Sequence, residues 1–498
     1  MAEYFLGVDN GGTVTKAAIF DQNGREIASA SQSTPVLTPK KGYFERDMLN
    51  LWQITAGAIR RAIAQSGVRS GEIAGVGCTG HGKGLYLWGK NNSPAYNAIA
   101  STDHRAAEIT ERWHKDGTAL RAREKTLQNV IECQPAPLLA WLKENEPEAY
   151  ANIKWIFEAK DYIRFMLTGE AYAEETDYSG TSLMNLLTRD FDEELLRLWG
   201  LEEIKDCLPP LRHSFENCGR ITAKAARASG LIEGTPVCGG MFDIDACAIA
   251  MDVSSPQKLC AITGTWSINE YISSVPVPAD SSTLNSLFCI PGYYLIEESS
   301  PTSAGNLEWV IDNFFKREKE RAAAEGRSVY EYINAAVAGA PVTEIIFLPF
   351  LYGTNYPGSG GAQFAGITGE STAADILRAV YEGVAFSHLS HIEKLLLRRE
   401  KPEAVRIAGG VVNSDIWLQI FADVINIPLE VVQTKELGAL GCAMAAAVCA
   451  GKYKDYAHAA GHMVKVKKVI KPNEGMHHIY MKKYRRYKAL AELSCRIN

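Results

Sequence analysis

The sequence predicts an α/β protein built from two similar lobes, and three observations predict it. Its 498 residues exceed the roughly 100–200 of a usual domain. Short apolar runs alternate with stretches of helical periodicity, the pattern of sheets covered by helices. A hairpin closed by a glycine turn opens the chain and recurs, in weaker form, in the second half.

The elements follow in order. Residues 4–8 read as a strand, 9–13 as a glycine-rich turn and 14–20 as the returning strand. Residues 21–24 turn again, and 25–31 give a third strand. Residues 45–65 carry helical spacing through Leu49, Trp52, Ile54, Ile59 and Ile63. A buried strand over 73–78 leads into Gly80-His81-Gly82-Lys83-Gly84 and a further strand over 85–88. From about 100 to 230 the chain is richer in helix, with helices expected over 102–116, 137–144, 161–167 and 192–198 and no clear sheet. That stretch reads as an insertion on the first domain. The opening pattern then returns. Residues 236–240 form strand and turn, 243–251 a helix of small residues, and 258–263 and 266–272 strands around Gly264-Thr265. Strands over 404–408 and 429–432, helices over 374–397 and 414–424 and a second small-residue helix over 437–450 complete the chain. The expected domains are 1–250 and 251–498, with a cleft between them.

Composition excludes several classes. Lys plus Arg number 52 and Asp plus Glu 58, a formal charge of −6, which argues against a nucleic-acid partner. No apolar run approaches the roughly 20 residues of a membrane helix, so no membrane partner is expected. The start, Met1-Ala2-Glu3-Tyr4-Phe5, has neither a basic region nor a cleavable apolar stretch, and a cytoplasmic chain is expected. The 11 cysteines are odd in number and lack a C-x-x-C pair, so they read as reduced, mostly buried thiols. Assembly is left open, a homodimer included.

Three constellations carry chemistry. The first is Asp9-Asn10-Gly11-Gly12-Thr13-Val14-Thr15-Lys16. Gly11 and Gly12 allow a tight turn whose amides suit phosphate oxygens, Thr13 and Thr15 add hydroxyls, and Lys16 adds positive charge. Asp9 is placed to hold Mg²⁺ directly or through water. The plainer reading is a hairpin with a surface lysine. Neither G-x-x-x-x-G-K-[ST] nor G-x-G-x-x-G is present. The second constellation is Gly239-Gly240-Met241-Phe242-Asp243-Ile244-Asp245. Asp243 suits a general base for a hydroxyl attacking phosphorus, with helix N-cap as the plainer role and Asp245 as the competing carboxylate. The third is Gly264-Thr265, Ala408-Gly409-Gly410 with Asn413, and the small-residue helix after Glu436. These suit a flat ligand and its phosphates, or tight helix–sheet packing. His388-x-x-His391 reads as a satisfied or surface pair, since no acidic partner completes a metal site.

Together these motifs resemble the FGGY carbohydrate kinase family over nearly the whole chain. Asp9 to Lys16 resembles its first phosphate motif. Gly42-Tyr43-Phe44-Glu45-Arg46-Asp47, Asp103-His104-Arg105 and Thr176-Asp177-Tyr178-Ser179 resemble three further elements. Asp243 matches the family's catalytic aspartate. Gly264-Thr265, Gly409-Gly410 and Glu436-x-Gly438 resemble its adenosine-side elements. Gly82-Lys83-Gly84 and residues 301–309 and 347–355 are similar to L-xylulose kinases, whereas Cys78-Thr79-Gly80-His81 and Ile244-Asp245-Ala246 depart from them. The resemblance implies two actin-like (ribonuclease H-like) domains and ATP-dependent phosphorylation of a sugar or polyol at a primary hydroxyl. L-xylulose leads, ahead of D-xylulose, ribulose and erythritol. The rival from another class is an actin-like regulatory ATPase. The resemblance also implies ATP and Mg²⁺ as partners, with Asp9 and Asp243 near the metal. Glu45, His81, Gly82, Lys83, Asp103, Asp243 and Asp245 are the implied sugar contacts.

Overall fold

The computed structural model describes residues 3–278, 283–358 and 360–497. The chain divides into two compact units. One comprises Met1–Ser254, Ile272–Ile296 and Thr434–Lys465, and the other Ser255–Tyr271, Glu297–Gln433 and Val466–Asn498.

In the first unit β1 (Tyr4–Asn10), β2 (Val14–Asp21) and β3 (Glu26–Ser33) form an antiparallel meander. A short β4 (Glu45–Arg46) precedes α1 (Met48–Ser66), and β5 (Ile73–Gly80) lies parallel to β1. The sheet continues through Pro236–Cys238, parallel to β5, to Asn217–Arg220, antiparallel at the edge. Asp47 caps α1 by accepting from the Asn50 amide, and Gly67 ends it in the left-handed region at φ 68°. Leu49, which the helical spacing places on the apolar face, is exposed. The buried face instead runs through Leu51, Trp52, Thr55, Ala58, Ile59 and Ala62.

The helix Leu437–Cys449 packs on this first sheet, although the sequence reads it as an adenosine-side element. Its small residues answer glycines on the strands. A Cβ on Gly7 would lie 2.8 Å from Ala439 Cα, and one on Gly77 would lie 2.9 Å from the Cys442 carbonyl carbon. Neither strand tolerates a side chain there, so the composition reflects close backbone packing.

The second unit repeats the first. Strands Lys258–Thr263 and Ser267–Ser273 form the antiparallel hairpin, and Ala404–Gly409 runs parallel on its far side. Leu429–Val432 follows in parallel and Val466–Ile470 closes antiparallel, the order seen from β1 outward in the first sheet. The expected repeat is therefore one of topology and strand direction. Tyr480, Tyr484 and Tyr487 on Glu474–Ile497 pack on Phe386 of the long helix Ala373–Leu396, with ring centroids 5.5–6.2 Å apart.

The insertion holds helices Ala107–Lys115, Thr118–Thr126, Pro135–Asn145, Ala159–Thr168 and Glu193–Trp199. Two details differ from expectation. The first of these helices starts at Ala107, not near 102, because Asp103 accepts from the amides of Phe44 and Arg105 and fixes a turn. The region also contains paired strands, since Ile153–Phe157 lies antiparallel to Tyr86–Gly89. All 11 cysteines are free thiols. Among the described residues no helix is long and apolar enough to cross a membrane.

Candidate active site

The β1–β2 turn places its residues unequally. Gly11 donates to the Val14 carbonyl at 3.1 Å and closes the turn, leaving Gly12 and Thr13 exposed at its tip. Thr15 points the other way. Its wholly buried hydroxyl meets Asn10 Nδ2 at 3.2 Å and the Thr34 hydroxyl at 3.1 Å, so it braces the hairpin from within. Lys16 is also engaged, its ammonium 2.8 Å from Glu436 Oε2. Burial lowers the lysine pKa, but the hydrogen bond and charge of Glu436 outweigh it and hold it above the usual range. Asp9 faces the start of the small-residue helix, where a Cβ on Gly438 would lie 2.7 Å from Asp9 Oδ2. Burial pushes the Asp9 carboxyl up to about 6, with Lys16 pulling it down and Glu436 pushing it up.

At the end of β5 sit the expected sugar contacts. His81 is buried, and its Nε2 lies 2.9 Å from the Tyr86 hydroxyl. Burial, with Arg46 beside it, pushes the imidazole down to about 3, so His81 is neutral. Lys83 is half-buried at φ 65°, a left-handed conformation that costs a non-glycine residue of order 1 kcal/mol. Glu45 and Asp103 have another task. Both carboxylates grip the Arg105 guanidinium, at 2.8 Å and 2.9 Å, and that guanidinium stacks 4.4 Å from the Tyr43 ring centroid. With Arg105 they form a buried strut.

A second buried cluster escaped the sequence reading apart from Asp177. Lys160 meets Asp161 at 3.0 Å and Glu174 and Asp177 at 3.3 Å, and Arg164 meets Asp161 at 2.8 Å. The Glu158 carboxylate is fully buried, and neither of its oxygens has a hydrogen-bond partner among the described residues. Burial, with Asp177 adding to it and Lys160 opposing, pushes Glu158 well above the carboxylate range, and burial, opposed by Lys160 and aided by Asp161 and Glu174, pushes Asp177 up to about 7. A Cβ on Gly82 would lie 2.9 Å from Asp177 Oδ1 and would overlap the Phe242 ring, so this cluster adjoins the segment bearing His81 and Asp243. The signal for it is the run of charges Glu158, Lys160, Asp161 and Arg164 set among apolar residues over 155–167.

The two competing carboxylates separate cleanly. Asp243 is the first residue of the helix Asp243–Ala250, the N-cap being Phe242, and its side chain stands half-buried. Asp245 is fully buried and accepts from the Cys289 amide at 2.9 Å.

In the second unit the expected adenosine-side turns line one cavity of about 280 Å³. Thr263, Gly264 and Thr265 form one wall, Gly410, Asn413 and Ser414 another, and Ala304 and Gly305 a third. Gly409 sits behind, at φ 93°, where a Cβ would lie 2.5 Å from the Thr263 carbonyl carbon, so only glycine lets the two strand ends meet. Tyr381 and Trp417 stack at 4.2 Å between centroids, and Asn334 accepts from both the Tyr381 and Ser414 hydroxyls, at 2.8 Å and 2.6 Å. A cavity with an aromatic side and a rim of hydroxyls and turn amides suits a nucleoside with phosphates.

Residues 4–250 match the FGGY family of carbohydrate kinases, N-terminal domain, and residues 259–450 match its C-terminal domain. The chain belongs to the FGGY family of carbohydrate kinases. This FGGY kinase is 37% identical to the L-xylulose/3-keto-L-gulonate kinase of Escherichia coli strain K12, over 98% of this chain and 97% of that one. It is 36% identical to a probable L-xylulose kinase of Haemophilus influenzae, over 97% of both chains. A ligand-bound xylulose kinase structure from Lactobacillus acidophilus matches with TM-score 0.88 at 23% identity and full coverage of both chains. At that identity the likeness speaks for the fold alone: two actin-like domains. As a family member the FGGY kinase is an ATP-dependent carbohydrate kinase.

Proposed function

We propose that this kinase phosphorylates a primary hydroxyl of a small ketose or polyol, a ketopentose of the L-xylulose type foremost, with Asp243 as general base. The observation that carries the mechanism is the unequal placement of Asp243 and Asp245. Asp245 is fully buried with its Oδ1 held by the Cys289 amide, whereas Asp243 stands half-buried at a helix start, with part of its side chain at the surface. The names of the bacterial relatives support the sugar.

Asp243 takes the hydroxyl proton as that oxygen attacks the γ-phosphorus. Neutral His81, the Gly82 backbone and the Lys83 ammonium are the proposed sugar contacts. The Gly12 amide and the Thr13 hydroxyl in the first unit, and the Thr265 hydroxyl in the second, are the proposed donors for phosphate oxygens, while the Gly11 and Gly264 amides close their own turns. Gly409, Gly410 and Asn413 shape the nucleoside end. Thr15 and Lys16 act one step back, bracing the hairpin and holding Glu436.

Mg²⁺ is proposed as the companion of ATP. Asp9 fits a hydrated divalent ion, because its half-buried carboxyl is held above its usual range while Lys16 pairs with Glu436. Among the described residues no group of three or more His, Cys, Asp and Glu side chains is set to hold a metal ion by itself, so the proposed ion takes its remaining ligands from water and phosphate. Such an ion neutralises phosphate charge. A cytoplasmic location is part of the same proposal.

The test is coupled ADP release across pentuloses, pentitols, erythritol and glycerol. Sugar-stimulated release, strongest with L-xylulose, is expected, and basal hydrolysis that no sugar stimulates refutes the reading. Asp243→Asn should lower kcat by about 10²–10⁴. Wild-type turnover in Asp243→Asn with a dead Asp245→Asn would reverse the assignment.

A further inference from the structure

We propose that His388 is a positioning residue for the second unit's cavity, its ring holding the Gly264–Thr265 turn, the Ala304–Gly305 wall and the aromatic side in register. The inference rests on the reading of that cavity as the nucleotide site.

His388 lies on the helix Ala373–Leu396 and is fully buried. Its Nδ1 is 2.8 Å from Asn269 Oδ1 and 3.2 Å from Ser267 Oγ, and its Nε2 is 2.8 Å from Ser303 Oγ. These contacts fix the tautomer. Asn269 Nδ2 donates to Ser267 Oγ at 3.2 Å and to the Glu298 carbonyl at 3.4 Å, which turns Oδ1 toward the ring. A carbonyl oxygen only accepts, so Nδ1 carries the hydrogen. Nε2 then accepts from the Ser303 hydroxyl. Burial pushes the imidazole down to about 3, in keeping with one hydrogen on the ring.

Each partner leads to a cavity wall. Ser267 follows the Gly264–Thr265 turn, which Gly264 closes by donating to the Trp266 carbonyl at 3.2 Å. Ser303 immediately precedes Ala304 and Gly305. His388 itself lies two turns beyond Tyr381 on one helix, and its ring packs 5.3 Å from that of Phe421, one turn beyond Trp417. A hairpin turn, a helix start and the aromatic side thus share one imidazole. A merely satisfied core histidine would lose stability when replaced but leave nucleotide affinity intact in the folded molecules. A positioning histidine loses affinity as well.

The experiment measures ADP binding to the full chain by calorimetry, beside ATP and sugar kinetics and thermal unfolding. His388→Phe removes both arms. Its ADP Kd and ATP KM should rise about tenfold, with sugar KM and the kcat at saturating ATP near wild type. His388→Asn keeps a donor near the Nδ1 position and should restore part of the affinity. Ser303→Ala, which removes one hydroxyl and is expected to fold, should raise the ADP Kd about threefold. If His388→Phe does not fold, Ser303→Ala decides. Wild-type ADP affinity in the folded variants overturns the positioning role alone. Wild-type protein that binds no ADP overturns the cavity reading and the role of His388 with it.

Discussion

Gly438 and Gly441 lie one turn apart on the helix Leu437–Cys449, yet replacing each with alanine should have opposite consequences. A Cβ on Gly438 would stand 2.7 Å from Asp9 Oδ2, the free end of a side chain that can swing away. The rotamer cost is about 0.5–1.5 kcal/mol, and alanine returns up to about 1 kcal/mol of helix propensity. Gly438→Ala should therefore melt within about 2 °C of wild type. Its turnover should fall about 100-fold, because Asp9 is displaced by about 1 Å from where it serves the phosphates. A Cβ on Gly441 would instead stand 2.6 Å from Ala246 Cα, which is backbone and cannot swing. Carbon atoms in contact sit about 3.5–4.0 Å apart, so the two helices must part by about 1 Å. An overpacking cost of about 3 kcal/mol, less about 1 kcal/mol of propensity, leaves about 2 kcal/mol. Gly441→Ala should melt about 4 °C or more below wild type. Differential scanning calorimetry and the coupled ADP assay, run on both variants, read the two effects. Gly438→Ala with wild-type turnover, or equal melting shifts for both, would refute the reasoning.

Three further outcomes follow from the geometry. Asp245→Ala strips the acceptor from the buried Cys289 amide, so urea unfolding should show a loss of about 2 kcal/mol while kcat per folded molecule stays near wild type. Asn334→Ala frees the Tyr381 and Ser414 hydroxyls, and the ATP KM should rise about tenfold with the sugar KM unmoved. His388 has a folded pKa of about 3, below the ordinary 6.5, so unfolded chains take up its proton first as pH falls. The stability that wild type holds over His388→Phe should be whole above pH 6.5 and shrink by about 1.4 kcal/mol per pH unit from there toward pH 3. A pH-independent difference between the two urea curves would contradict a buried neutral ring.

Legibility in the sequence followed the range of the interaction. The glycine turns at Gly11–Gly12, Gly264 and Gly409–Gly410 were readable because turns are marked by neighbouring residues in the sequence, although only Gly409 among them takes a positive φ. The doubled hairpin was readable for the same reason, and the second sheet repeats the strand order of the first. What each carboxylate does was not readable. Glu45 and Asp103 carry the residue types of a sugar site, yet both serve Arg105, which lies 60 and 2 residues away from them in sequence. Asp243 and Asp245 are separable only because Cys289 arrives from 44 residues downstream to claim the second. Glu158 and Lys160 sit among apolar neighbours, and only the fold shows that Asp161, Glu174 and Asp177 converge on that lysine.

The small-residue helix shows what kind of information was missing. Its face through Ala439, Cys442 and Ala446 recurs every three to four residues, and it meets Gly7 on β1 and Gly77 and Gly75 on β5. Either half of that pattern alone is ambiguous, since small residues serve a ligand as well as a neighbouring backbone. The two halves lie hundreds of residues apart, and neither predicts the other without knowledge of which sheet the helix joins. Once joined, the requirement is mutual, because a side chain on either partner would force the backbones apart. The helix start is then fixed beside the end of β1, with Gly438 leaving room for Asp9 and Glu436 drawing Lys16 away from it. The packing of the first unit and the charge state of its phosphate-side carboxylate are therefore set by the same few residues. That is why replacing Gly438 should cost activity without stability, while Gly441, one turn on, should cost stability first.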